Sequence, residues 1–124
     1  MTVMAIDFEH LKRYTGDDAE LIAEVLDIFS NQTSIWMRAL DPASDDETWS
    51  DVSHALKGSA QTVGAKALGE LCDRAEAMVG DCEGEGSWTA RREWIADEIA
   101  ARVEDVETDI QRWKYAQQMA GLKA

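Results

Sequence analysis

Apolar residues recur every three or four positions along most of this chain, whereas the strict alternation that marks a β-strand is almost absent. The pattern predicts an all-α protein with five helices joined by four short connections. The first helix is expected to be little more than two turns long. A length of 124 residues corresponds to one domain, so we expect a single domain over residues 1–124.

Residues that can accept a hydrogen bond from a free backbone N–H mark where the predicted helices begin. Two of them are followed three residues later by Glu, which is the spacing of a capping box: Asp17 with Glu20, and Ser44 with Glu47. The predicted N-terminal caps are Asp7, Asp17, Ser44 and Ser87.

The last helix carries apolar residues at alternating spacings of four and three, which predicts one narrow seam packed against the other helices. After about Tyr115 the chain is expected to fray. Cys72 is predicted to lie in the core, and Cys82, in a glycine-rich loop, to be an exposed thiol. Four tryptophans fall on or beside apolar stripes and are expected to be core residues: Trp36, Trp49, Trp94 and Trp113.

The charge excludes two classes of partner. The chain has 25 acidic and 12 basic residues and a net charge of −13, which repels nucleic acid and anionic membrane surfaces. Neither a secretory signal nor an apolar run long enough to span a bilayer is apparent. We therefore expect a cytoplasmic protein that binds neither nucleic acid nor membrane.

The third predicted helix directs His54 toward solvent. At about 100° per residue, its apolar positions cluster within roughly a third of the circumference and define the buried face. His54 points nearly opposite this face, and Gly58 and Gln61 follow on the same exposed side. Because exposed histidines are common on protein surfaces, the neighbouring residues decide whether His54 has a function.

Two of these neighbours suggest a reactive site. Gly58 in the middle of a periodic helix costs about 1 kcal/mol relative to Ala, so it needs a packing or access reason. On the exposed side, that reason is room for a partner to approach His54. Lys57, one turn from His54, disfavours an imidazolium and so favours the neutral, nucleophilic ring. Its ammonium can also pair with phosphoryl oxygens.

The order of these residues resembles a known family. The run Ser53–Ala60, followed by Val63–Ala65 and Leu68–Cys72, resembles the signature of the histidine-containing phosphotransfer (Hpt) domain: a histidine, then Leu-Lys-Gly-Ser, a glycine and a leucine-rich helix. Upstream, Tyr14–Asp17 and Trp49 resemble the first half of the family's domain. The match covers most of the chain in the right order, about residues 6–110, and is therefore more specific than a short motif.

The resemblance implies an antiparallel, up-and-down four-helix bundle with an additional N-terminal helix, and a phosphoryl group carried on the solvent-facing ring nitrogen of His54. In the family, a Glu or Gln on the next helix holds the other ring nitrogen, and Glu76 occupies that position here. Ser53 stands where many relatives have alanine. Ser53 and Gln61 are expected to face the docking partner, and the segment 113–124 runs past the usual end of the family's domain.

The resemblance also implies the partners. We expect a monomer that accepts a phosphoryl group from the phosphoaspartate of a receiver domain, or from a hybrid kinase, and passes it to a response-regulator receiver. Lys57 would balance the phosphoryl charge. The sequence has no glycine-rich phosphate loop and no convincing acidic cluster for magnesium near His54, so we expect no autonomous kinase or ATPase activity and no cofactor of its own. The Mg²⁺ ion is expected on the partner receiver.

Two alternatives remain open from the residues. The chain could be a helical adaptor that binds a receiver or kinase domain without carrying phosphate. His10 and His54 could also be metal ligands, although two distant histidines without a supporting cluster are a poor ligand set. The donor and acceptor receivers, and the direction of phosphate flow, are not encoded in any motif of the chain.

Overall fold

The computed structural model describes residues 5–82 and 87–123, and helices account for most of them. The five helices are α1 (Phe8–Thr15), α2 (Ala19–Ala39), α3 (Asp46–Thr62), α4 (Lys66–Glu76) and α5 (Thr89–Lys123). No strand occurs in these two ranges. None of the described helices combines the length and apolar character needed to cross a membrane.

Helices α2 to α5 form a four-helix bundle in which α2 packs against α3 and α5, and α4 packs against α3 and α5. Helix α1 is added to this bundle through its contacts with α2. The predicted fold, a four-helix bundle with an additional N-terminal helix, is confirmed. The bundle is built around apolar side chains that are at most 2% exposed, among them Leu26, Phe29, Trp49, Leu56, Leu68, Ile95, Ile99 and Ile110.

Two helices begin one residue later than the capping boxes predict. The cap of α2 is Asp18, whose Oδ1 accepts hydrogen bonds from the N–H groups of the first turn, while Asp17 adopts a left-handed backbone conformation with φ 64°. The cap of α3 is Asp45, which accepts from the N–H of Thr48 at 2.7 Å. Ser44 instead donates its hydroxyl to the carbonyl of Asp41. Adjacent polar residues compete for the same cap, and the turn geometry decides which one takes it.

The N-terminal segment is tied to the bundle on two sides. The buried carboxylate of Asp109, on α5, accepts hydrogen bonds from the N–H groups of Ala5 and Ile6. The N–H of Asp7 donates to the carbonyl of Gly64, in the turn between α3 and α4, at 3.0 Å. Gly64 has φ +69°, and a Cβ there would lie 3.0 Å from the Cβ of Asp7, so both the turn and the close approach require glycine.

Two expectations about α5 were wrong. Helix α5 does not end near Tyr115 but continues to Lys123 and reaches 35 residues, about 52 Å at 1.5 Å per residue. Trp94 is 49% exposed rather than buried in the core. It precedes the seam residue Ile95 by one position and so points about 100° away, where the guanidinium of Arg74 lies over its ring.

One end of the bundle is fastened by a group we call the Arg92 cluster: Arg92, Asp46, Trp49 and the carbonyls of Ser44 and Met78. Arg92 is only 4% exposed. Its guanidinium donates to both carbonyls and, at 2.6 Å, to Asp46, and it lies over the indole of Trp49. The cluster therefore joins the start of α5 to the start of α3 and to the segment after α4.

Candidate functional site

Helix α3 places His54 on the outside of the bundle, as the sequence predicts. Val52 and Leu56, two residues before and after it, are 4% and 0% exposed and face the core. The His54 side chain is 71% exposed. An imidazole in this position is reachable by another protein without any rearrangement of the bundle.

One ring nitrogen of His54 is held by Glu76. The Nδ1 atom lies 3.1 Å from Oε1 of Glu76, the last residue of α4. In the neutral ring, a proton on Nδ1 is donated to the carboxylate, which leaves the lone pair of Nε2 unshared. Within residues 5–82 and 87–123, no hydrogen bond to Nε2 is present. The geometry therefore selects the tautomer in which the solvent-facing nitrogen is the nucleophile.

The end of α4 is itself anchored by Trp49. The indole Nε1 of this fully buried side chain donates to the carbonyl of Ala75 at 2.6 Å. Ala75 directly precedes Glu76, and the N–H of Met78 also donates to its carbonyl. Trp49 therefore fixes the register between α3 and α4 beside the residue that holds His54.

Lys57 is paired with two carboxylates of α4. Its Nζ lies 2.8 Å from Oδ1 of Asp73 and 3.9 Å from Oε2 of Glu76. The hydrogen bond and charge of Asp73 raise the pKa of Lys57 above its usual value. Asp73 and Glu76 therefore balance the charge of Lys57, and the sequence prediction for Lys57 did not include these two partners. We call His54, Glu76, Lys57 and Asp73 the His54 network.

Sequence reasoning missed Asp73, since it lies 16 residues from Lys57 on a different helix. Only the packing of α3 against α4 brings them together. A signal was nevertheless available: Asp73 and Glu76 are three residues apart and share one face of α4. If Glu76 lies opposite His54, then Asp73, one turn earlier on α4, lies opposite Lys57, one turn later on α3.

Comparisons with known proteins identify the family of this helical domain. The family model described as "Hpt domain" matches residues 9–113. The chain belongs to the Hpt domain family. Among solved structures, it resembles the histidine phosphotransferase ShpA from Caulobacter crescentus, with 30% sequence identity, a TM-score of 0.73, and coverage of 95% of this chain and 98% of ShpA. A search of curated proteins found no match.

Two further predicted residues of this Hpt domain lie at the surface near the His54 network. Gly58 is exposed, and a Cβ built on it would meet nothing within 4 Å. Glycine is therefore not required there by the packing of the chain itself. Gln61 is exposed and, with Lys57 and Asp73, lines an open groove of about 570 Å³ between α3, α4 and the N-terminal segment.

Ser53 does not face a partner, contrary to the sequence prediction. It is 0% exposed, and its hydroxyl has no hydrogen-bond partner among residues 5–82 and 87–123. The prediction failed because the buried face of α3 is wider than its strongly apolar residues indicate. Ser53 follows Val52 by only 100° and lies within that face.

His10 lies apart from His54. The His10 ring lies beside Gly64. Gly64 comes ten residues after His54 in the sequence, which corresponds to about 15 Å along a helix axis. Two ligands of one metal ion must each lie about 2 Å from it. Among residues 5–82 and 87–123, no group of three or more His, Cys, Asp or Glu side chains is arranged to hold a metal ion. The paired-histidine metal site is therefore not formed in this structure.

An exposed apolar stripe that starts with Tyr14 near the end of α1 and continues along α2 was not predicted. Its members follow Tyr14 at intervals of seven residues and are 40–67% exposed: Tyr14, Leu21, Ile28 and Ile35. Tyr14 and Ile28 border a groove of about 210 Å³ that also includes Ser59 and Thr62 of α3. Thr62 donates its hydroxyl to the carbonyl of Gly58, so the groove adjoins the exposed side of α3. We refer to these four residues as the α2 stripe.

Proposed function

We propose that this Hpt domain is a phosphorelay intermediate, which accepts a phosphoryl group on Nε2 of His54 from the phosphoaspartate of a receiver domain and passes it to a second receiver. The observation that carries the proposal is the state of the His54 ring: it is 71% exposed, with Nδ1 on Glu76 and Nε2 directed outward. Family membership and the likeness to a histidine phosphotransferase support the same role.

This geometry supports the following transfer step. The lone pair of Nε2 attacks the phosphorus of the acyl phosphate, the bond from phosphorus to the aspartyl oxygen breaks, and the aspartate leaves as a carboxylate. The ring becomes a phosphoimidazolium, whose positive charge the carboxylate of Glu76 stabilises through the Nδ1 proton. The reverse sequence delivers the group to the next receiver. The chain acts as a stoichiometric carrier rather than as an autonomous kinase.

The partner receiver is expected to supply Mg²⁺ and the acidic pocket, because phosphoryl transfer depends on neutralising the charge of the equatorial oxygens. The receiver would dock over the exposed side of α3. Gly58 offers a surface without a side chain one turn from His54, which allows backbone or a bulky group of the partner to approach. The adjoining α2 stripe offers apolar area, and Gln61 offers polar contacts at the other edge.

The test is phosphotransfer from receiver domains of the source organism, each labelled with ³²P on its aspartate in the presence of Mg²⁺. At least one should pass its label to the wild-type chain as an acid-labile, base-stable phosphate. His54→Gln should abolish the label while its helical circular dichroism stays unchanged.

The chain contains a matched control, its second histidine. His10→Gln should still be labelled on His54, because His10 lines the groove beside Lys57 but is not part of the His54 network. Label retained by His54→Gln contradicts the assignment of His54. Tight binding of a receiver without any transfer of label supports a non-phosphorylated adaptor instead.

A further inference from the structure

The ion pair between Lys57 and Asp73 is the part of the His54 network that the transfer step does not use. Lys57 Nζ is 2.8 Å from Asp73 and 3.9 Å from Glu76, so Asp73 is its closer partner. Glu76 is in turn engaged with His54. In the unphosphorylated protein, the cation nearest to His54 along α3 is therefore drawn toward α4 by a carboxylate outside the reacting groups.

Lys57 can exchange Asp73 for another anionic partner. The side chain of Asp73 is 65% exposed and that of Lys57 is 27% exposed. Ion pairs with such access to water are weak, because solvent screens their attraction. The ammonium is a compact charge on a flexible stem of four carbons, so it can turn to a new partner without moving the helix.

We infer that Asp73 competes with the phosphoryl group for Lys57 and thereby sets the stability of the phosphohistidine. The inference rests on the proposed function. His54 and Lys57 are three residues apart on α3, the spacing at which side chains on a helix are neighbours. A phosphoryl group on Nε2 carries up to two negative charges into this neighbourhood, and Lys57 then exchanges Asp73 for the phosphoryl oxygens.

As a consequence, the phosphoryl group on His54 is not stabilised so strongly that its onward transfer becomes slow. An unpaired lysine would stabilise the phosphorylated form and slow the onward step. Asp73 keeps a second position available for the ammonium and so brings the phosphorylated and unphosphorylated forms closer in free energy. It acts through Lys57 and is a positioning residue, since it does not touch the reacting atoms.

The test is a double-mutant cycle with Asp73→Asn and Lys57→Met, measured with one labelled receiver at equilibrium. Asp73→Asn should shift the partition of label toward the Hpt domain by about two- to fivefold. In the Lys57→Met background the same change should have less than half of this effect. Glu70→Gln is the matched control, because it removes one negative charge from the same helix at a residue outside the network; it should leave the partition within about 1.5-fold of the wild type.

A second measurement removes the receiver from the experiment. His54 is phosphorylated chemically with potassium phosphoramidate, and the half-life of the phosphohistidine is followed by ³¹P NMR. Asp73→Asn should lengthen the half-life, again only when Lys57 is present. Wild-type partition and half-life in Asp73→Asn, or an equal effect with and without Lys57, overturn the inference while leaving the proposed function intact. Failure of every receiver and of phosphoramidate to label wild-type His54 overturns both.

Discussion

The Arg92 cluster and the His54 network are built from similar residues, yet their surroundings give them opposite properties. Each region joins helices through a cation and a carboxylate, together with an indole ring in the Arg92 cluster and an imidazole in the His54 network. Arg92 is 4% exposed, and its guanidinium is held by backbone carbonyls, a carboxylate and an indole face. His54 is 71% exposed and leaves one ring nitrogen toward solvent. The buried and satisfied Arg92 thus serves stability, whereas the exposed His54 keeps a ring nitrogen available for the proposed phosphotransfer.

The physical reason is the difference in solvation. A buried cation must have its donors satisfied, because an unpaired charge in the interior costs several kcal/mol. Such a group has no freedom to take a new ligand. At the surface, water substitutes for a lost partner at little cost, so Lys57 and His54 can exchange partners during a reaction.

The two regions meet at the end of α4. Trp49 lies under the guanidinium of Arg92, and its Nε1–H donates to the carbonyl of Ala75. The next residue, Glu76, belongs to the His54 network. The rigid cluster therefore supplies the fixed position from which Glu76 holds the imidazole. Substitutions in one region should therefore show how far it can be changed without affecting the other.

The largest effect is expected from Arg92→Met, which fills similar space but leaves the carbonyls of Ser44 and Met78 without their partner. The free energy of unfolding should fall by about 3 kcal/mol, measured by urea denaturation. Arg92→Lys, which keeps the charge and part of the hydrogen bonding, should lose less. If folded Arg92→Met transferred phosphate as poorly as a Glu76 variant, the two regions would not be separable.

Glu76→Ala should slow phosphotransfer and leave the free energy of unfolding nearly unchanged, the reverse of what is expected for Arg92→Met. Without its carboxylate the imidazole loses the acceptor that sets its tautomer and stabilises its positive charge, and transfer from a phosphorylated receiver should slow about tenfold. The free energy of unfolding should change by no more than about 0.5 kcal/mol, because the side chain is partly exposed. Glu76→Gln keeps an acceptor oxygen, so its transfer rate should lie between those of the wild type and Glu76→Ala. An unchanged transfer rate in Glu76→Ala would remove Glu76 from the site.

Ser53→Ala should make the protein more stable by about 1 kcal/mol, since it removes a buried hydroxyl without a hydrogen-bond partner in the described part of the chain. Ser59→Ala is the matched control on the same helix. The hydroxyl of Ser59 donates to Gln32, so its removal should bring no such gain. Phosphotransfer by Ser53→Ala should equal that of the wild type. A loss of stability in Ser53→Ala would show that its hydroxyl has a partner in solution.

The smallest effect concerns pH. The N–H of Gly80 and the guanidinium of Arg92 hold the pKa of Asp46 below its usual value of 3.8. The ionised carboxylate therefore stabilises the folded state, fully above the usual pKa and progressively less as pH falls through the folded-state pKa. Below about pH 4, the free energy of unfolding should fall more steeply in the wild type than in Asp46→Asn. Asp51→Asn, a change at an exposed position of α3, should follow the wild type.

The sequence alone determined the helical fold, the outward direction of His54 and the choice of Glu76 as the residue facing it. These follow from the helical repeat and from a family pattern that runs along the chain, so they depend on residues close together in sequence. The cap of α1, Asp7, was predicted correctly. The caps of α2 and α3 were missed by one residue, because Asp17 and Asp18, or Ser44 and Asp45, are equally suited chemically and only the turn distinguishes them.

Only the tertiary structure decided which distant side chains meet. The pairing of Lys57 with Asp73, the burial of Ser53 and the exposure of Trp94 depend on how helices rotate and slide against one another. A rotation of one residue, about 100°, moves a side chain from core to surface without changing the apolar repeat. Periodicity therefore identifies a helix and its approximate face, whereas the contacts that tune the site arise from packing between helices.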